Sequence, residues 1–140
     1  MNLESKTLSE DILVPRRIEE RQTVRLKSIQ RLLQQTLIEG DLDLRDLPIT
    51  DLGKLEHVRG NLDLTNTRII DLGNLKYVEG WLDLSNVPVV SLGKLIYVGK
   101  TLLMWGTPIT QMTKIQMDEI FKNVDVGWYI SLGGNKKYTK

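Results

Sequence analysis

From Gly40 to Gly99 one arrangement of apolar and polar positions recurs every twenty residues: GDLDLRDLPITDLGKLEHVR, GNLDLTNTRIIDLGNLKYVE and GWLDLSNVPVVSLGKLIYVG. Aligned on that period, the apolar side chains fall into columns that run on into a partial fourth unit. One column is Leu42, Leu62, Leu82 and Leu102, and the next is Leu44, Leu64, Leu84 and Met104. Ile49, Ile69, Val89 and Ile109 follow, then Leu52, Leu72, Leu92 and Met112, then Leu55, Leu75, Leu95 and Ile115, then Val58, Val78 and Val98. A single unit buries too few side chains to offset the ordering of its own backbone, so the units must stack in register. Each Leu-Asp-Leu triplet alternates apolar, polar, apolar, which predicts a short strand with its leucines inward and Asp43, Asp63 and Asp83 outward. Asn66 and Asn86, with Pro48, Pro88 and Pro108, suit the bend that leaves the strand. Gly53, Gly73 and Gly93 mark a second bend, where glycine takes a positive φ. Twenty residues leave room for only a helical turn or 3₁₀ segment on the return path. The expected fold is α/β: a right-handed solenoid of four to five coils with one parallel β-sheet of four to five short strands.

A solenoid exposes its core at both ends unless other segments cover it. Residues 16–39 read as an N-terminal capping helix, with Leu26, Ile29, Leu33 and Leu37 on one stripe and Ile18 and Leu32 beside it. Pro15 stands where a helix begins and Gly40 where one stops. Residues 1–15 read as a flexible segment, 40–112 as the repeats, and 113–140 as a C-terminal cap. In that cap the period is broken by about eight extra residues. Met117, Ile120, Phe121 and Val124 have helical spacing, Ile130 and Leu132 form the inward pair of a last strand, and GGNKKYTK reads as a polar tail.

Composition changes this picture little. The 140 residues carry a net charge of +1 and contain no cysteine, so disulfides, thiolate metal sites and cysteine nucleophiles are excluded and a cytoplasmic setting fits. No apolar run reaches the length of a membrane span, and the first residues lack the pattern of a secretory signal. Residues 40–99 hold six basic and nine acidic side chains, net −3, whereas 100–140 hold six and three, net +3. His57 is the one histidine and shares a repeat position with Tyr77, Tyr97 and Met117, which packing explains. No nucleophile, acid–base or phosphate-loop motif is present, so neither an enzyme nor a cofactor is expected.

Two constellations lie on the outward face of the strands. Asp43, Asp63 and Asp83 form a column in which neighbours lie about 5 Å apart and repel by about 1 kcal/mol in water. Solvent screening, a partner bearing lysine or arginine, or a metal are the three ways to relieve it; a flat row of single oxygens is a poor metal cage, and no metal site is assigned. Toward the C-terminal end the same face carries Trp81, Leu103, Trp105 and Tyr129, with Trp128 adjacent. These rings are either an exposed interaction surface or core under the C-terminal segment.

The pattern L-D-L-x-x-T-x-I, as in Leu62, Leu64, Thr67 and Ile69, resembles the leucine-rich repeat. The position that usually holds asparagine carries Leu47, Thr67, Val87 and Thr107, so the usual side-chain ladder is absent or replaced by threonine hydroxyls. The whole unit G-x-L-D-L-x-x-T-x-I-x-x-L-G-x-L-x-x-V is similar to short leucine-rich-repeat-like proteins of tailed bacteriophages and some bacteria. The residues themselves point to a non-enzymatic protein–protein interaction module. The resemblance implies a bacterial host protein as partner, a defence component among the candidates, met in the host cytoplasm. Two alternatives remain: self-association as a homodimer or assembly component, and nucleic-acid binding through the basic face of Arg17, Arg21, Arg25, Lys27 and Arg31. No membrane partner is expected.

Overall fold

A computed structural model describes residues 20–140. The segment 1–15 and the start of the capping helix lie outside the described residues. The chain divides into a unit ending at Arg31 and one beginning at Leu32. The first contains most of helix α1, which covers residues 20–32. Arg21, Arg25, Lys27 and Arg31 are exposed along it and Ile29 is buried. The helix stops short of residue 39, and Leu37 belongs to a strand instead of the helical stripe. Backbone demand explains the switch: the Thr36 carbonyl accepts from the N–H groups of Glu56 and His57, both at 2.9 Å, and the Ile38 carbonyl accepts from Arg59, also at 2.9 Å.

The second unit is a solenoid of two parallel sheets, where the sequence predicted one. Sheet A joins β1 (Leu37–Ile38), β3 (His57–Val58), β5 (Tyr77–Val78), β7 (Tyr97–Val98) and β9 (Asp125–Val126), each pairing with the next in that order. Sheet B joins β2 (Leu42–Asp43), β4 (Leu62–Asp63), β6 (Leu82–Asp83), β8 (Leu102–Leu103) and β10 (Ile130–Gly133), closed by an antiparallel β11 (Lys136–Tyr138). The return path of the repeats is thus extended at Tyr77–Val78 and Tyr97–Val98, residue types that favour a pleated surface. A 3₁₀ turn, Pro108–Gln111, and α2, Lys114–Phe121, occur only in the last, enlarged coil.

Register follows the period. Leu42, Leu62, Leu82 and Leu102 pair in succession and Leu102 pairs with Ile130. The inward columns are buried, with Leu62, Leu64, Ile69, Leu72, Leu75, Val78, Leu82 and Leu84 fully enclosed. Beyond residue 112 the eight extra residues shift the columns. Tyr97 pairs with Asp125, so Met117 does not continue the His57 column, and Ile115, expected inward, is 81% exposed on α2. Phe121 and Val124 fill the core there instead.

The bends are built from backbone needs. Asp46, Asn66 and Asn86 take left-handed φ values of 62°, 61° and 58°, and Gly106 occupies the same step at 75°. Asx residues and glycine tolerate that region best. Gly60 and Gly80 serve a different need. The Asp41 Oδ1 accepts from the Asn61 N–H at 2.8 Å, and Asn61 Oδ1 accepts from Trp81 N–H at 2.9 Å. A Cβ on Gly60 or Gly80 would land on those oxygens. The threonine ladder is not used: the Thr67 and Thr107 hydroxyls are buried without a hydrogen-bond partner among the described residues. The turn is held by the backbone bond from Thr67 N–H to the Leu64 carbonyl, 3.1 Å.

Two stability effects are expected, both read as midpoints of urea denaturation. Thr67→Val, which keeps shape and removes the orphaned hydroxyl, should raise stability by about 1 kcal/mol. Gly80→Ala should cost about 1–3 kcal/mol, because it drives a Cβ into the Asn61 amide.

Candidate functional site

The outward face of sheet B grades from polar to aromatic. Trp81 precedes β6 and is half-buried; Thr101, on the next rung of its column, is buried at 7% exposure, and Tyr129 follows on the last rung at 41%. Leu103 is half-buried in the next column, above Ser131. Trp105 closes the third column, 56% exposed, with Trp128 at 66% beside Tyr129. Trp105, Trp128 and Tyr129 are therefore on the surface, and Trp81 and Leu103 reach it in part.

The C-terminal residues frame these rings and do not cover them. Instead of a polar tail, GGN forms the turn of a hairpin, with Ile130 paired to Tyr138 and Ser131 to Lys137. The glycine-rich turn between alternating residues is the signal for it. Gly133 has a φ of 109°, and the Trp105 indole occupies the place its Cβ would fill, so the ring rests flush on the backbone. Lys137 Nζ sits 4.1 Å from the Tyr129 ring centre and Lys100 Nζ 5.7 Å from that of Trp128. Such cations over a π-face are attracted by the ring quadrupole.

A clamp anchors the hairpin to α2. Tyr138 is buried against Phe121, ring centres 4.6 Å apart, and its hydroxyl donates to Asp118. Lys114 donates to the same carboxylate and lies over the Tyr138 ring at 4.8 Å. The helix starts with a capping box between Thr113 and Gln116. Hydrogen bonds from Lys114 and then Tyr138 hold the Asp118 carboxyl below its ordinary value, and partial burial opposes them.

The acidic column is largely satisfied within the chain. Asp43, Asp63 and Asp83 each accept the backbone N–H two residues on, from Arg45 (3.1 Å), Thr65 (3.0 Å) and Ser85 (2.9 Å). These are turn bonds that any short polar acceptor there makes. The Arg45 guanidinium then bridges two rungs, 2.9 Å from Asp43 and 3.4 Å from Asp63. Its pKa is raised by that hydrogen bond to Asp43, then by the charges of Asp43 and Asp63. Thr65 Oγ1 donates to Asp63 at 2.6 Å. Asp83 forms no ion pair among the described residues and lies on the rung between Asp63 and Leu103. The three carboxylates thus do not act as one free row; the one next to the aromatic rungs is the one without a cation.

Elsewhere, on sheet A, Tyr77, Ile96 and Tyr97 are partly exposed, and charged side chains pair across coils. Glu56 and Lys76 meet at 2.7 Å, Glu39 and Arg59 at 3.3 Å. His57 lies 3.1 Å from Glu79 and 5.3 Å, ring to ring, from Tyr77. No cluster of His, Cys, Asp or Glu suited to a metal ion occurs among the described residues, and no helix there is long and apolar enough to cross a membrane.

The clamp has a pH signature. Because the Asp118 carboxyl titrates lower in the folded chain than its ordinary 3.8, its contribution is complete above that value and is lost as pH falls through the folded one. Thermal melts across pH should show Asp118→Asn with a shallower loss of stability below about pH 4 than the unmodified chain. No family model matches the chain, and comparison with curated proteins and with solved structures gives no match.

Proposed function

We propose that the chain is a non-enzymatic protein-binding module whose recognition face is the C-terminal half of sheet B. One observation carries the reading: Trp105, Trp128 and Tyr129 stand 56%, 66% and 41% exposed at one end of a hydrogen-bonded sheet, with Trp81 and Leu103 beside them. Large rings held on a rigid scaffold lose little freedom when a partner covers them and release much ordered water. Backbone bonds on both sides of each rung supply that rigidity, as at Leu82 N–H to Thr101 O (3.0 Å) and Leu102 N–H to Tyr129 O (3.1 Å).

Charge refines the partner. Asp43 and Asp63 share Arg45, which leaves Asp83, adjoining the aromatic rungs, as the carboxylate to meet a lysine or arginine of the partner. Rim charges of this kind chiefly set approach rate and choice of partner. The resemblance to phage-encoded repeat proteins would make that partner a bacterial host protein, with defence components as the first candidates to try.

Trp81→Ala combined with Trp105→Ala is expected to leave the circular dichroism of the chain unchanged and to abolish capture of its partner from a bacterial host lysate. Undiminished capture by a folded double variant would move the recognition face elsewhere. Loss of at least about 2 kcal/mol of binding, or roughly thirtyfold, is the size expected for such anchors.

A further inference from the structure

The two sheets end differently. Sheet B is closed by the antiparallel β11, whereas sheet A stops at β9 with nothing paired to its far side among the described residues. The ladder shows what that edge lacks. The carbonyls of Ile38, Val58, Val78 and Val98 accept in turn from Arg59, Glu79, Gly99 and Gly127, at 2.8–2.9 Å. Val126 is the next member of that column, and its carbonyl accepts from nothing among the described residues. Asp125 and Gly127 direct their N–H groups to Ile96 and Val98 of the previous coil. By the alternation of a strand, both polar groups of Val126 therefore point outward. One acceptor farther up, the Val124 carbonyl, takes the Lys140 ammonium at 2.5 Å, a side chain standing in for backbone.

Its side chain is unfinished as well. Val58, Val78 and Val98 are fully buried by the coils on either side, and Val126, with a coil on one side only, is half-exposed. Beside it opens a cleft of about 380 Å³ whose lining includes Trp128, Tyr129, Lys137 and Lys140, with Asp125 as its one acidic side chain. We infer that this edge is a second docking site, which accepts an extended acidic peptide segment of a partner protein as one more rung of sheet A. The outward N–H and carbonyl of Val126 supply the backbone pairing, and its half-covered side chain selects a β-branched residue opposite. The two ammonium groups favour carboxylates farther along the segment. The open backbone edge is what favours a peptide over a single-stranded nucleic acid, which would use the rings and cations but not the strand. The inference shares with the proposed function the premise of a protein partner and the rings of Trp128 and Tyr129; it does not use Trp81, Asp83 or Trp105.

The test uses the full chain and a fluorescein-labelled peptide of about ten residues, alternating valine and glutamate. Fluorescence anisotropy should show saturable binding, and the Val126 amide, read by exchange in NMR spectra, should become protected when unlabelled peptide is added. Val126→Pro, which removes an N–H that no ladder bond uses, should weaken binding by about tenfold. Lys137→Glu with Lys140→Glu should turn the preference toward a valine–lysine peptide. Trp81→Ala with Trp105→Ala should leave this affinity within about twofold, so that failure of the aromatic face and failure of the edge give different results. The proposal is overturned if the acidic peptide does not bind, if the valine–lysine peptide binds the unmodified chain equally well, or if binding leaves the Val126 amide unprotected. Tighter binding of a single-stranded DNA oligonucleotide overturns it too. Should Val126→Pro not fold, amide protection in the unmodified chain decides.

Discussion

The structure depends on one constraint: backbone groups in each coil are bonded to the coil twenty residues away. Two sheets impose it together, through contacts such as Glu79 N–H to Val58 O and Leu62 N–H to Trp81 O. Because both faces of a coil are tied, an inward side chain has nowhere to go but onto its counterpart above and below. The leucine columns follow from that, and so do the outward ones. Substituents that would break the spacing are excluded, which is why Gly99 and Gly127 stand where a Cβ would strike the carbonyl of the preceding coil.

Within that frame the polar residues divide labour. Asp51, Asp71 and Ser91 accept from Gly53, Gly73 and Gly93 and fasten one corner. Asp43, Asp63 and Asp83 do the same at another corner. A carboxylate repeated three times on a surface therefore need not be a binding feature; here its first oxygen is spent on the turn and its spacing is inherited from the repeat. What departs from the repeat is more informative. Arg45, Trp81, Leu103 and Trp105 each occur once in their columns. The first neutralises one end of the face, and the other three give the opposite end its apolar character.

Most of the solenoid was legible in the chain because stacking turns a spacing in sequence into a column in space. Strand register, the glycine bends at 53, 73 and 93, and the helix before Phe121 all followed from the period or from helical spacing. The second sheet was harder to see. Its strands are two residues long, and a pair such as Tyr77–Val78 shows too little alternation to announce a strand; only its recurrence beside a buried valine marks it. The hairpin was missed for a related reason. Lys136 and Lys137 give the segment a solvated look, whereas its one buried side chain is Tyr138, which reaches Phe121 and Asp118 across the end of the core. Exposure of the aromatic residues could not be read from the repeat, since it turns on how the last segment closes.

Between β7 and β9 the chain spends twenty-eight residues where earlier coils spend twenty, yet Tyr97 meets Asp125 and Leu102 meets Ile130 in unbroken order. The surplus leaves through the 3₁₀ turn and α2, on the stretch of the circuit that belongs to neither sheet. Growth of the molecule is therefore decoupled from its architecture at this corner. Loops of new length or chemistry can be spliced there while the tower beneath keeps its spacing, much as a balcony is added to a building without moving its floors.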